Sequence, residues 1–371
     1  EHLDLAKARA AELTGIPAGN IFISCTHTHF GPSPCGIFNV PCEEAYMQMA
    51  MERAGDSIKR AQDSLRDAEV ASASGFCPDE THNRRWHMSD GSVRMNPGYL
   101  SPERVEPAGP TDPEVGLLVV RDLQGNPIAA LANYSLHYVG GPYANLISAD
   151  YFGYFDRALQ RLAGSEFVAI MANGLCGDIN NCDFNKPAPA YPHPFYQAER
   201  VGNRVAAAAY YAWLGIRDYD RNPALAATTE MVGFARRDPT PEELQGAKAL
   251  WASKNDPTDA DWMYAGEMIA VSEEPLERPT PIMGARVGDL GLVGLPGEIF
   301  VEYGLQIKQQ SPFARTFTIE LANDYIGYCP TDKALEQGSY ETRLARTAKA
   351  AKGTEGLFVG AAGRVLQALA K

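Results

Sequence analysis

Val115-Gly116-Leu117-Leu118-Val119-Val120, then Gly125-Asn126-Pro127, then Ile128-Ala129-Ala130-Leu131-Ala132-Asn133-Tyr134-Ser135-Leu136, is the stretch on which the fold turns. Two apolar runs of strand length flank a turn, so the segment reads as a strand and its returning partner. Working outward, helical and strand patterns alternate. Leu3, Ala6, Ala10 and Leu13 recur at helical spacing, and Gly15 and Pro17 stop that helix. Residues 43–66 carry Met47, Ala50, Met51, Ala54, Ile58 and Leu65 on one side of a long amphipathic helix. Further strands are expected at 21–26, 167–172 and 316–322, and a hairpin at 282–295 about Gly288-Asp289. Further helices are expected at 151–163, 196–214, 298–310 and the C-terminus. The stretch 222–280 reads as an insertion holding two helices, and 80–114 as a polar, irregular excursion of the kind that is often functional. No internal repeat stands out in the sequence. The alternation defines an α/β class, with a mixed sheet core and flanking helices.

The chain has 371 residues, of which 45% are hydrophobic and 21% charged, the composition of a globular enzyme with ample length for a large core. No apolar run approaches the ~18 residues that a membrane-spanning helix needs. With 33 basic and 46 acidic residues the net charge is −13. An acidic chain without a basic block repels phosphate backbones, which argues against a nucleic-acid partner. The seven cysteines form no Cys-x-x-Cys pair. Neither a disulfide framework nor a thiolate zinc knuckle is indicated, and mostly reduced thiols favour a cytoplasmic setting. Glu1-His2-Leu3-Asp4-Leu5 is neither a start methionine nor a signal sequence; it reads as the middle of a helix, so a preceding segment is expected.

Ligand-type residues gather at five strand ends: His27 with His29, His137, Asn173-Gly174, Pro296-Gly297-Glu298, and Asn323-Asp324. Open α/β sheets build their sites at the carboxyl ends of strands. In Cys25-Thr26-His27-Thr28-His29-Phe30-Gly31-Pro32 the two imidazoles, two residues apart, would project together from extended chain. That suits two metal ligands, or one ligand and one substrate-facing group. Two hydrogen-bonded turn histidines would give the same pattern, a core histidine would explain His137, and Glu298 could simply favour a helix N-terminus. Asn173-Gly174-Leu175-Cys176-Gly177-Asp178-Ile179-Asn180-Asn181 could expose backbone N–H groups as an oxyanion site, or be a plain turn. No Gly-x-Ser-x-Gly elbow, Walker loop or Rossmann fingerprint is present.

Taken in order, Thr-His-Thr-His-x-Gly-Pro, His137, Asn-Gly-x-x-Gly-Asp, Pro-Gly-Glu and Asn323-x-Tyr325-x-x-Tyr328-x-x-Thr331 resemble the neutral/alkaline ceramidase family, across roughly residues 15–345. Asp112-Pro113-Glu114-Val115-Gly116 is also similar to that family's segment before its hairpin. The resemblance implies a single catalytic domain over 1–371, stopping short of the family's trailing immunoglobulin-like domain. It implies a Zn²⁺ cofactor held by His27, His137, Glu298 and Tyr328. It also implies active-site roles for His29, Tyr340 and Arg84, with Arg85 a competing alignment for the arginine.

One position departs. Where the family has Gly-Asp-Val-Ser-Pro-Asn, this chain has Gly177-Asp178-Ile179-Asn180-Asn181-Cys182, and asparagine cannot form an acyl-enzyme as serine does. The expectation is therefore a zinc-dependent hydrolase of an amide or ester bond in which a metal-activated water attacks. In that scheme His29, Tyr340 and Arg84 stabilise the oxyanion or shuttle protons, and Asn180 donates a hydrogen bond. Asp150, Asp178 and His29 are candidate general bases, although Asp150 reads better as the cap of the helix from Tyr151. The substrate expected is a small-molecule or lipid-like amide. Two alternatives remain open: a polar or sugar-derived substrate shaped by His82, Arg84, Arg85, Trp86 and His87, or a non-catalytic metal-containing binding protein.

Overall fold

In a computed structural model, residues 2–141 and 146–371 are described; Glu1, the first residue of the helix-like start, lies outside them. The hairpin that opens the sequence reading forms as the strands Glu114–Asp122 and Pro127–Tyr134, paired antiparallel with Val115 opposite Tyr134. Ala68–Phe76 joins one edge antiparallel, and Val168–Asn173 joins the other in parallel. A second sheet repeats this arrangement. Leu225–Ala235, Glu277–Val287, Leu290–Gly294 and Arg315–Ile319 lie in that spatial order, with the same two antiparallel pairings and the same parallel one.

Parallel neighbours require a crossover, and in each sheet a helix supplies it. Asp150–Ala163 links the parallel pair of the first sheet, and Val301–Gln310 that of the second. Tyr151, Phe152, Phe155, Ala158 and Leu159 bury one face of the first crossover helix. They pack with Val201, Val205 and Ala209 of the helix Tyr196–Leu214 over Leu117, Val119 and Ala132 of the sheet. The C-terminal helix Thr354–Ala370 covers the second sheet through Phe358, Val365 and Leu369. The remaining faces of the two sheets meet. Leu118 and Ala172 pack against Leu290, Leu292, Phe317 and Ile319. A Cβ on Gly116 would lie 2.4 Å from the Phe317 ring. The result is helix, sheet, sheet, helix: an α/β fold built twice over, although no sequence repeat marks the two halves. Among the described residues no helix is long and apolar enough to cross a membrane.

Three expectations are corrected. Residues 21–26 do not form a strand. Ser24 bridges Ala322 singly, because the partner chain bends at Leu321 and Asn323, both with positive φ. The apolar residues there serve packing instead, Phe22 lying against Gly294. The excursion 80–114 contains short antiparallel strands, Arg85–Met88 between Val93–Met95 and Arg104–Pro107, while His82–Asn83 pairs with Ile179–Asn180. Within 222–280 the helices Pro241–Ser253 and Ala260–Glu273 are present, but the stretch begins with the edge strand Leu225–Ala235, whose polar Thr228, Thr229 and Glu230 hid it.

Candidate metal centre

The carboxyl ends of the two parallel strand pairs converge. The Glu320 N–H donates to Asn173 O at 3.2 Å, tying one sheet end to the other. His137 follows the strand Pro127–Tyr134 and is buried. Glu298 follows Leu290–Gly294, the equivalent strand of the second sheet, and a short parallel pairing sets it opposite Tyr328. His27 adopts a left-handed conformation, φ 61°, where the chain enters from the Ser24–Ala322 bridge.

These four side chains meet. Glu298 Oε2 lies 3.3 Å from His27 Nε2 and 3.5 Å from His137 Nε2. The His27 and His137 rings are 4.5 Å apart. The Tyr328 ring stacks parallel to His137 at 6.4 Å, its hydroxyl within hydrogen-bonding reach of Glu298. His29 Nε2 is 3.1 Å from His27 Nε2, and its ring stacks on Tyr138 at 3.6 Å. Tyr325 donates its hydroxyl proton to Glu298 Oε1 at 2.9 Å.

Burial, then His27 and Arg84, push His137 well below the usual imidazole range, so it is neutral. Its Nδ1 lies 3.3 Å from Cys176 O. A carbonyl only accepts, so Nδ1 carries the proton and Nε2 presents a lone pair. Burial would lower His27, but Glu298 outweighs it and raises the imidazole. Burial would raise Glu298, but His27, Tyr328 and Tyr325 hold the carboxyl below its ordinary value. Burial and Glu298 keep the Tyr328 phenol protonated, and a divalent cation at this point would invert that preference.

The donor set fits a divalent ion. His137 Nε2 and Glu298 Oε2 are fully buried and lack any hydrogen-bond partner. Buried polar atoms are almost always satisfied, so the His137 lone pair facing a Glu298 oxygen beside the His27 nitrogen is a donor set that a cation would satisfy. The ligand nitrogens of His27, His29 and His137 all lie within 4.8 Å of one another.

Arg84 lies over the Tyr328 ring at 5.4 Å and is held by Glu341 at 2.9 Å; its second terminal nitrogen is buried without a partner. Arg85 turns the other way, to Gly338 O and the second Glu341 oxygen. Tyr340 stands at the rim, 41% exposed, its ring 5.7 Å from Tyr328. Asn180 Nδ2 donates to Asn96 Oδ1 at 2.8 Å and its Oδ1 accepts from Cys182 N–H, so one amide hydrogen already holds the loop. Asp150 accepts from the N–H groups of Val139, Gly140 and Tyr151, pinning the loop after His137. Asp178 accepts from Val301 N–H and Asn83 Nδ2 in the layer behind.

Sequence reading left three supporting residues unassigned. Tyr325 lay inside a quoted motif without a role. Glu320 accepts from the N–H groups of Cys176 and Ile299 and from the Cys176 thiol, fixing both loops that carry the cluster. Glu341 holds Arg84 and Arg85 together. An acidic residue closing the apolar strand 316–319 was the available signal for Glu320.

A doubled helix–sheet unit sets His137 and Glu298 beyond equivalent strands, and His27 and Tyr328 join them from separate segments as a candidate metal centre. Comparison then places it more narrowly: the chain is ceramidase-like in sequence and in fold. It is 26% identical over 222 residues to neutral ceramidase of Pseudomonas aeruginosa, a match covering 56% of this chain and 32% of that protein. The crystal structure of that neutral ceramidase superposes with a TM-score of 0.73 at 21% identity, covering 99% of this chain and 64% of the other. A ceramidase complexed with C2 gives 0.73 at 18% identity, covering all of this chain and 65% of the other. The chain thus spans less than two thirds of these relatives. No family model matches it.

Proposed function

We propose that this chain is a single-domain, zinc-dependent hydrolase that cleaves an amide bond in an N-acyl, lipid-like substrate, esters being a lesser substrate. The observation that carries the reading is the pair of orphaned buried atoms, His137 Nε2 and Glu298 Oε2, facing each other at 3.5 Å. The sequence likeness to neutral ceramidase supports the amide.

His27, His137, Glu298 and Tyr328 would hold the ion. When bound, Zn²⁺ supplies a Lewis acid that acidifies water toward pKa ~7 and polarises a carbonyl. The residues around it do the rest. His29, in contact with His27 and stacked on Tyr138, accepts the water proton and returns it to the leaving amine. The free terminal nitrogen of Arg84 and the Tyr340 hydroxyl steady the negative oxygen that forms at the carbonyl. Asn180 adds its remaining amide hydrogen. Water adds to the carbonyl, the C–N bond breaks, and the amine departs protonated; no acyl-enzyme forms at residue 180.

A polar or sugar-derived amide is the second reading. It rests on the polar side chains of the excursion 80–114, where Arg84 lies over the Tyr328 ring. The test is a panel of N-acyl lipids, polar amides and esters, assayed on protein stripped of metal and reloaded with zinc. Cleavage of N-acyl lipids only after reloading supports the proposal. Equal cleavage by stripped protein ends it, and cleavage of polar amides alone selects the second reading.

A further inference from the structure

The segment after His29 folds into a hairpin at the edge of the metal centre. Ile37 and Val40 bridge antiparallel, with Val40 N–H donating to Ile37 O at 2.9 Å. The two turn residues, Phe38 and Asn39, have φ of 48° and 62°, the conformation that lets a two-residue turn follow strand twist. Glu43 N–H donates to Ser33 O at 2.9 Å and closes the base.

Cys35 stands two residues before Ile37 on one arm and Cys42 two residues after Val40 on the other, with the pairing shifted by one residue at the Ser33–Glu43 base. A disulfide spans about 4.4–6.8 Å between Cα atoms, the scale on which the two arms of a hairpin are spaced. The Cys42 thiol already reaches across: Sγ is 3.4 Å from the carbonyl oxygen of Pro34, the neighbour of Cys35. The two thiols lie within electrostatic range of each other, and both are half-buried and free.

The hairpin is tied down at its tip. Phe38 N–H donates to the buried Glu267 at 2.7 Å, Arg346 donates to Gly36 O at 2.6 Å, and Arg346 pairs with both Glu267 oxygens. On its inner side Cys35 lies within electrostatic range of Glu298 and Tyr325.

We propose that Cys35 and Cys42 form a reversible disulfide across this hairpin, a redox-modification site bordering the metal centre. The oxidant is a small-molecule disulfide of the glutathione class. One protein thiolate attacks a sulfur of that disulfide, its S–S bond breaks, and one reduced thiol leaves. The second protein thiolate then displaces the other half, so two electrons and two protons pass to two small thiols. The inference rests on hairpin geometry and stands independently of the reaction assigned to the site.

The test uses the intact, metal-loaded chain in glutathione buffers of stepped redox ratio, followed by alkylation, proteolysis and mass spectrometry. The expected result is a Cys35–Cys42 cross-linked peptide lighter by two hydrogens and restored by dithiothreitol. Cys35→Ser and Cys42→Ser should each take up one glutathione at the remaining thiol. Full alkylation of both thiols at the most oxidising ratio would overturn the proposal without any variant. So would a cross-link from Cys42 to another cysteine. Cys42 also lies with His2 and Glu44 in a cluster whose ligand atoms fall within 4.8 Å of one another. Protection of Cys42 from both reagents, relieved by a chelator, would assign it to a metal instead and overturn the disulfide.

Discussion

Nε2 of His27 stands 3.3 Å from Oε2 of Glu298, the one delivered by an irregular N-terminal segment and the other by the second sheet. That contact, with His137 Nε2 beside it, would couple an ion bound there to fold stability. A ligand that binds only the folded state stabilises it by mass action, about 2.7 kcal/mol at a hundredfold excess over Kd. Chelation should therefore lower the Tm of the wild-type chain. Glu298→Gln should start near the chelated value and stay there when chelator is added. Thermal scans with and without chelator check this, and equal chelator-induced shifts in both proteins would count against it.

Gly177 packs against the backbone that carries Glu298. A Cβ there would sit 2.4 Å from the Glu298 carbonyl oxygen. Gly177→Ala must push the two loops apart, so zinc affinity measured by chelator competition should fall about 10–100-fold, the scale seen when supporting contacts of a metal site are lost. Unchanged affinity would show that Glu298 is not held from this side.

Behind the site, Asn83, bonded to Asp178 at 2.6 Å, and the carboxyls of Asp178 and Glu302 close around Gly109, where a Cβ would lie 2.7 Å from Asn83 Nδ2 and 2.8 Å from Glu302 Oε1. Burial and then Asp178 push Glu302 from 4.5 up to about 8. The unfolded chain ionises this group first, so stability present below pH 4.5 is lost as pH rises toward about 8. Glu302→Gln should remove that slope and be more stable than wild type near pH 8 by on the order of 1–3 kcal/mol. Denaturant titrations at several pH values read the difference, and parallel wild-type and variant curves would refute it.

Asn180 stands where the resembling family has serine. Asn180→Ala should keep the metal and lower kcat on the order of 10²-fold, the size of losing one oxyanion donor. No acyl adduct should be trapped at residue 180 in wild type or in Asn180→Ser. An unchanged kcat in Asn180→Ala would remove this residue from the reaction.

Much of this was legible in residues and order. The apolar hairpin 115–136 announced the first sheet, and the helix 196–214 followed from its periodicity. The cluster His27, His137, Glu298 and Tyr328 was picked out by resemblance, and the structure brings those four side chains together. What stayed hidden depends on tertiary partners. The polar edge strand Leu225–Ala235 is specified by its pairing with Glu277–Val287 rather than by its own pattern. The matching strand order of the two sheets is a property of topology that no sequence repeat marks. Glu320 and Glu341 look like ordinary charges until the atoms they hold are seen.

The account depends most on one ion seated among His27, His137, Glu298 and Tyr328. Elemental analysis of the purified chain, followed by anomalous diffraction at the zinc edge, measures this directly. The predicted result is one ion per chain with its peak among those four side chains. A chain that takes up no divalent ion on titration, or a peak only elsewhere, as at His2, Cys42 and Glu44, would contradict it.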